Sequence, residues 1–294
     1  MAAPLLGAQR SKTHRFRLGN FEVTTILDGA FLLDNVKPPF CIDQDAGAIE
    51  TLAAANNLPA NKMEHTFTLS IVNTGQHLVL FDTGFGAARR SDGAGQLRDL
   101  LPEVGYRPED IDIVAFTHVH PDHILGLREG DELAFPNARY VIGRREFDEW
   151  KSGAKVPEQR RENRDLFMRL LVPVAENMTF LEPDQDVVPG IKAVQSFGHS
   201  LGHMSYLIES EGKTCLIWGD VTNHYVFSMQ RPEWRVAFDD VPEQATATRK
   251  RILDMVATDQ HLVVGFHMPF PATGYVELIN GIYRWVPVTY QTRL

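Results

Sequence analysis

The chain has 294 residues, 44% of them hydrophobic and 23% charged, with a formal net charge of −9. That length can bury a sizeable core as one large domain or two small ones, and the composition is that of a soluble globular protein. The acidic balance, with no basic stripe, argues against nucleic acid as a partner, and no apolar run approaches the ~20 residues that cross a bilayer.

The opening residues show only a short apolar stretch with no positive residue before it. A cytoplasmic protein with a flexible tail over residues 1–13 is therefore expected. Residues 14–18 and 21–27 alternate apolar and polar around Gly19-Asn20, which predicts a β-hairpin. Residues 34–62 are rich in Pro and Ala and read as a loop with a short helix. Strands follow at 66–73 and 77–82, the second ending on Asp82-Thr83-Gly84 before a glycine-rich loop. The two cysteines, Cys41 and Cys215, make no disulfide framework, and Cys215 sits in an apolar run as a buried small hydrophobe.

The apolar run from Ile111 to Phe116 predicts a buried strand. Directly after it come His118, His120, Asp122 and His123. Imidazole and carboxylate at that density suit a borderline transition metal such as zinc, on the loop leaving the C-terminal end of a strand. A short strand at 139–142, a helix at 144–150 and a longer amphipathic helix at 158–171 complete this half.

A second half begins near Met178, with strands at 191–195, 204–209 and 213–218. A helix over 242–257 has Asp240 as its expected N-cap and Pro242 in its first turn. A buried strand at 261–266 and a final pair at 275–278 and 283–290 end the chain. The halves echo each other: the run ending on Asp82 resembles the run ending on Asp220, and the run before His118 resembles that before His267. Duplicated strand-to-ligand units predict two packed sheets that deliver polar residues to one edge, with helices outside. Residues 14–294 are thus expected to be a single domain of two pseudo-equivalent halves.

Gly198-His199-Ser200-Leu201-Gly202-His203 adds two histidines between glycines, and Asp220 and His267 stand at strand ends. Together with His118-X-His120-X-Asp122-His123 and Asp82-Thr83-Gly84, this combination resembles the metallo-β-lactamase superfamily from about residue 15 onward. The resemblance implies an α/β protein built as an αβ/βα four-layer sandwich of two mixed sheets. It implies one metal on His118, His120 and His199, another on Asp122, His123 and His267, and Asp220 as the bridge. Two divalent ions are implied, zinc as the usual metal, with iron, manganese or cobalt as alternatives. His203 is left outside the metal set, and Asp82 is expected to orient a ligand histidine. The remaining histidines, His65 and His224 among them, lack ligand spacing.

Gly105-Tyr106-Arg107-Pro108-Glu109, Leu133-Ala134-Phe135-Pro136-Asn137 and Tyr283-Arg284-Trp285 look like the methyl parathion hydrolase branch, whose relatives include lactone and aryl-ester hydrolases. That branch is commonly dimeric. The implied activity is hydrolysis of a lactone, aryl ester or phosphotriester by a hydroxide shared between the ions, with Asp122 and Asp220 as catalytic carboxylates. The segment 221–227 departs from the phosphotriesterase pattern, so the substrate does not carry over. Trp150, in a segment resembling one with a substrate-facing tryptophan, Tyr225, Phe85 and Phe167 are the expected pocket residues, with ordinary core packing as the competing reading. No basic residue in these loops marks a carboxylate anchor, so a small, largely neutral ester is expected. Hydrolysis of β-lactams or thioesters, or metal binding without turnover, are the alternatives.

Overall fold

The computed structural model describes residues 3–5 and 7–289. The hairpin β1 (Thr13–Leu18) and β2 (Phe21–Leu33) continues antiparallel into β3 (Met63–Asn73) and β4 (Leu78–Phe81). β5 (Ile113–Ala115) adds in parallel; after a small ribbon of β6 (Arg128–Glu129) and β7 (Glu132–Leu133), β8 (Arg139–Gly143) and β9 (Met178–Leu181) extend the parallel half. The second sheet runs in chain order through β10 (Asp186–Val188), β11 (Ile191–Gln195), β12 (Met204–Ser210), β13 (Lys213–Ile217), β14 (Leu262–Val264), β15 (Thr273–Ile279) and β16 (Ile282–Pro287). Its one parallel pair is β13 with β14.

The helices are α1 (Ala46–Ala55), the single turns α2 (Leu97–Leu100) and α3 (Pro121–Ile124), then α4 (Arg144–Ser152), α5 (Arg161–Leu170) and α6 (Pro242–Thr258). Period-two alternation sends Val79, Phe81, Ile113 and Ala115 of the first sheet against Tyr206, Ile208, Cys215 and Ile217 of the second. On the outer face of the first sheet, Leu80, Val114 and Ile142 meet Phe147, Trp150 and Phe167 of α4 and α5. On the outer face of the second, Leu216 and Val263 meet Ile252, Leu253 and Val256 of α6. The result is the helix–sheet–sheet–helix sandwich that the sequence implied.

Differences from the sequence expectation have local causes. β5, Ile113–Ala115, is shorter than the apolar run 111–116; its last ladder bond is the Phe116 N–H donating to the Val141 carbonyl, which closes the Ala115–Val141 pair. β2 and β3 run much further than expected, to Leu33 and from Met63, with a bulge between Leu27 and Gly29; neither end has clean alternation. α6 is capped by Val241, without a side-chain bond, not by Asp240, whose carboxylate is drawn into other partners described below. Near Met178 the chain has not yet changed sheets, since β9 still pairs with β8. Tyr290, placed in the expected final strand, lies outside the described residues. So do residues 1, 2 and 6 of the expected tail; within it Arg10 pairs with Glu64. Among the described residues no helix is long and apolar enough to cross a membrane.

The parallel strand pairs decide where chemistry can sit. β4 and β5 lead within three residues to Asp82 and His118, β13 and β14 to Asp220 and His267, and all four ends converge on one edge of the sandwich. Above this edge, the loop 84–97 is held by Asp28. Its buried carboxylate accepts from the backbone N–H groups of Phe85 (3.1 Å), Gly95 (3.1 Å) and Leu97 (2.9 Å). Gly84, at φ +70°, is pressed so close that an added Cβ would lie 2.6 Å from the Asp28 carboxylate. Replacing Asp28 by Ala leaves three donors without their acceptor. We expect a loss of about 3 kcal/mol in urea unfolding, with faster amide exchange over 84–97; unchanged exchange there would show that the loop holds itself.

Candidate metal centre

Two groups of donors meet at the sheet edge. His118, His120 and His199 form one, and Asp122, His123, Asp220 and His267 the other; within each, the donor atoms lie within 4.8 Å of one another. Asp220 joins them. Its Oδ2 is 3.2 Å from His199 Nε2 in the first group and 3.0 Å from His267 Nε2 in the second, while Oδ1 is 3.3 Å from His123 Nε2. His267 and His123 also lie 3.6 Å and 3.5 Å from Asp122 Oδ2.

Each of the five histidines has one ring nitrogen occupied by an outer oxygen, which leaves the other for the centre. Asp82 takes His123 Nδ1 at 2.8 Å, Asp239 takes His199 Nδ1 at 3.1 Å, and Asp240 takes His120 Nε2 at 3.2 Å. The Thr66 carbonyl takes His267 Nδ1 at 2.9 Å. His118 Nδ1 meets Thr117 Oγ1 at 3.0 Å, and that hydroxyl donates to Asp82. Outer acceptors of this kind fix the tautomer and ring plane that a metal ligand needs. Within the centre, His118 Nε2, His123 Nε2 and Asp220 Oδ1 are buried without a hydrogen bond. Buried polar atoms are rarely left so, and five imidazoles with two carboxylates are the donor chemistry of borderline divalent ions. The residues fit two such ions.

Electrostatics follow the same arrangement. Burial opposes charge on His123, but Asp122, Asp82 and Asp220 outweigh it and hold the imidazole well above its ordinary range. Burial likewise opposes charge on His199, yet Asp220 and Asp239 raise it to about 9. His118 is pushed well below the ordinary range by burial and by its neighbouring histidines. Asp82 adopts φ +60°, an uncommon conformation for a residue with a Cβ, which turns its carboxylate back under His123 and Thr117.

The sequence did not reveal the supports behind these ligands. Asp239 is carried by Arg249, which is fully buried and bonds to it at 2.7 Å; Asp240 is carried by Arg160 at 2.8 Å. Glu146 of α4, also fully buried, ties the two ligand loops together. It accepts from the Val119 N–H, between His118 and His120, at 3.1 Å, from Ser200 Oγ at 2.5 Å and from the Gly202 N–H at 2.6 Å. A Cβ on Gly202 would stand 2.2 Å from the Glu146 backbone nitrogen, which is why glycine is needed where the loop docks. Burial pushes the Glu146 carboxyl up to about 7 against these three donors. One signal was present: Glu146 falls on the apolar face of its helix with Phe147 and Trp150, where an acid is out of place unless partnered. His203 stays outside both groups, accepting the Asp220 N–H through Nε2 at 3.0 Å.

A cleft of about 320 Å³ opens over the donors, walled by Phe31, Phe67, Phe85 and Phe238, with His65 stacked 4.1 Å from His267. Of the expected pocket residues, Phe85 lines it. Trp150 does not: it is fully buried, donates to Ser200 Oγ at 2.9 Å, and its ring lies edge-on to His120, so it supports the centre from behind. Phe167 is core, packed on Phe147 and Trp150. Tyr225 does not line the cleft but an adjoining cavity of about 400 Å³, and His267 lines both; strand alternation puts Thr66 on the Tyr225 side and His65 and Phe67 on the cleft side. Asn223, not Tyr225, reaches Asp220, donating to its Oδ2 at 3.0 Å. Two basic residues not expected here, Arg89 and Arg160, also line the cleft.

A family model, the Metallo-beta-lactamase superfamily, matches residues 68–267. The N-acyl homoserine lactonase of Bacillus cereus is 30% identical over 169 residues, covering 57% of this chain and 60% of that protein. The N-acyl homoserine lactonase of Bacillus thuringiensis is 26% identical over 170 residues, covering 58% and 60%. The chain thus spans about 60% of the length of the curated relatives it matches. Among solved structures, AidC, a dizinc quorum-quenching lactonase in complex with a product, superimposes with a TM-score of 0.88 at 23% identity, covering 95% of this chain and 98% of that one. The hydrolase AbOPH in the beta lactamase superfamily gives 0.88 at 24% identity, covering 97% and 100%. These likenesses show the fold.

The Glu146 support has a measurable consequence. Glu146→Ala removes the acceptor shared by the His118–His120 and His199 loops, and should weaken the more loosely held ion by about 10–100-fold in a competitive chelator titration. Glu146→Gln keeps one carbonyl acceptor and should recover part of that loss. Equal metal affinity in all three proteins would remove Glu146 from the support of the centre.

Proposed function

The chain belongs to the metallo-beta-lactamase superfamily, and from that premise we propose that it is a di-metal hydrolase that opens the ester bond of lactones. The observation that carries this reading is the pair of donor groups joined by Asp220 on the floor of an aromatic-walled cleft. The lactonase relatives favour a lactone over other esters.

Two divalent ions, zinc in this reading, supply Lewis acidity and a water acidic enough to ionise near neutral pH. The chain's own groups do the rest. His118, His120 and His199 would hold one ion and Asp122, His123 and His267 the other, with Asp220 placed between the two groups. Asp122 lines the cleft and serves as the carboxylate that takes a proton from the attacking water and returns it to the leaving oxygen. The phenylalanine wall receives the apolar part of a small, largely neutral substrate and keeps bulk water from the reacting carbonyl. Residues 14–294 act as one domain of two pseudo-equivalent halves in this account. The enzyme is taken as cytoplasmic and homodimeric, the exposed Tyr275, Leu278 and Ile279 of the outer hairpin offering apolar surface for pairing.

Metal analysis paired with assays on lactones, aryl esters and phosphotriesters tests this reading. Lactone opening should exceed the other two, disappear with chelator and return with zinc. His118→Ala and Asp220→Asn should each lower metal content and reduce turnover at least 100-fold. Full turnover by a metal-free His118→Ala protein would refute the reading.

A further inference from the structure

The cleft is aromatic on most sides and polar on one. That side is the start of α5, where Arg160 and Asn163, three residues apart on a helical turn, both line the cavity. Arg160 is committed along one edge only: Nε donates to Asp240 at 2.8 Å and Nη2 to the Phe238 carbonyl at 2.6 Å. Its Nη1 has no hydrogen-bond partner among the described residues, and the side chain keeps 16% of its surface exposed. Asn163 is half-buried, and its carboxamide likewise has no partner among the described residues. Arg89, the other cation of the cleft, is 55% exposed and paired with Asp92.

We propose that Arg160 and Asn163 form a polar subsite for the secondary amide of an N-acylated lactone, and so select acylated amino-lactones over lactones with hydrocarbon side chains. This rests on the lactone reading above. A secondary amide presents one acceptor and one donor. The Arg160 fork offers only donors, suited to the amide carbonyl; the Asn163 carbonyl can accept the amide N–H. The charge of Arg160 is matched by Asp240, so the subsite offers hydrogen bonds to a neutral group and little net attraction for an anion. The aromatic wall beyond can then take the acyl chain. An all-carbon side chain must strip water from both residues and return nothing, which is the asymmetry that gives polar sites their discrimination.

Arg160 also carries Asp240, which orients His120, so its substitution alone would mix two effects. The experiment therefore compares Asn163→Ala and Arg160→Gln with the wild type, each with metal content measured. The substrates are N-hexanoyl homoserine lactone and a γ-lactone of matched length in which methylenes replace the amide. The wild type should prefer the amide-bearing lactone by at least tenfold in kcat/KM. Asn163→Ala should cut that preference about tenfold, mainly through KM, with metal content intact. Arg160→Gln should lower turnover of both lactones while also reducing their ratio. If both lactones are opened by the wild type without preference, or both variants leave the ratio unchanged, the subsite is overturned and the lactone reading stands. If a fully metal-loaded wild type opens neither, the lactone reading itself falls.

Discussion

The structure depends on keeping one carboxylate, Asp220, at the junction of two groups of buried imidazoles. Histidines crowded in a low-dielectric interior resist carrying charge, and carboxylates there resist it equally. Interleaving the two lets each stabilise the other, and the buried atoms that still lack partners are donors suited to cations. Because Asp220 follows β13 in the second sheet while His118 to His123 follow β5 in the first, the sandwich has to be assembled before the centre exists. The packing of Val79, Phe81, Tyr206 and Ile217 between the sheets is thus also what sets distances at the site.

Around this junction the supports are layered. Every histidine of the two donor groups is turned by an oxygen, and two of the carboxylates that do this, on the neighbours Asp239 and Asp240, are in turn held through their other oxygen by Arg249 and Arg160. Glu146 and Trp150, both from α4, reach the two ligand loops from the helical layer through Val119, Ser200 and Gly202. A helix on the outer face of a sheet is stiff, and a buried carboxylate with three donors has one geometry, so the loops inherit order from side chains that do not line the cleft. Arg160 differs from the others in that it faces the cleft as well, linking what fills the cavity to how His120 is held.

Much of the architecture was legible because its signals are local. Strand alternation, the hairpin at Gly19-Asn20 and the apolar runs leading to Asp82, His118, Asp220 and His267 follow from short-range periodicity and sheet geometry, and apart from the far end of β2 the sequence delimited them to within a few residues. The departures arose where tertiary partners override a local preference. Asp240 looks like a helix cap, but His120 and Arg160 compete for it and win. Trp150 and Phe167 look like pocket aromatics, but a face of α4 and α5 covers the first sheet and takes them into the core. Tyr225 is near Asp220 along the chain, yet a turn sends Asn223 to the carboxylate instead.

By itself the sequence determined the candidate donor types, their order and the fold that could bring them together, because metal chemistry demands particular side chains and those are visible as letters. Only the tertiary structure decided which oxygen turns each imidazole, that Glu146 binds two loops far apart in the chain, and that the cleft has an aromatic side and a polar one. Those are properties of approach between distant segments, and a linear chain carries no record of approach until its sheets have packed.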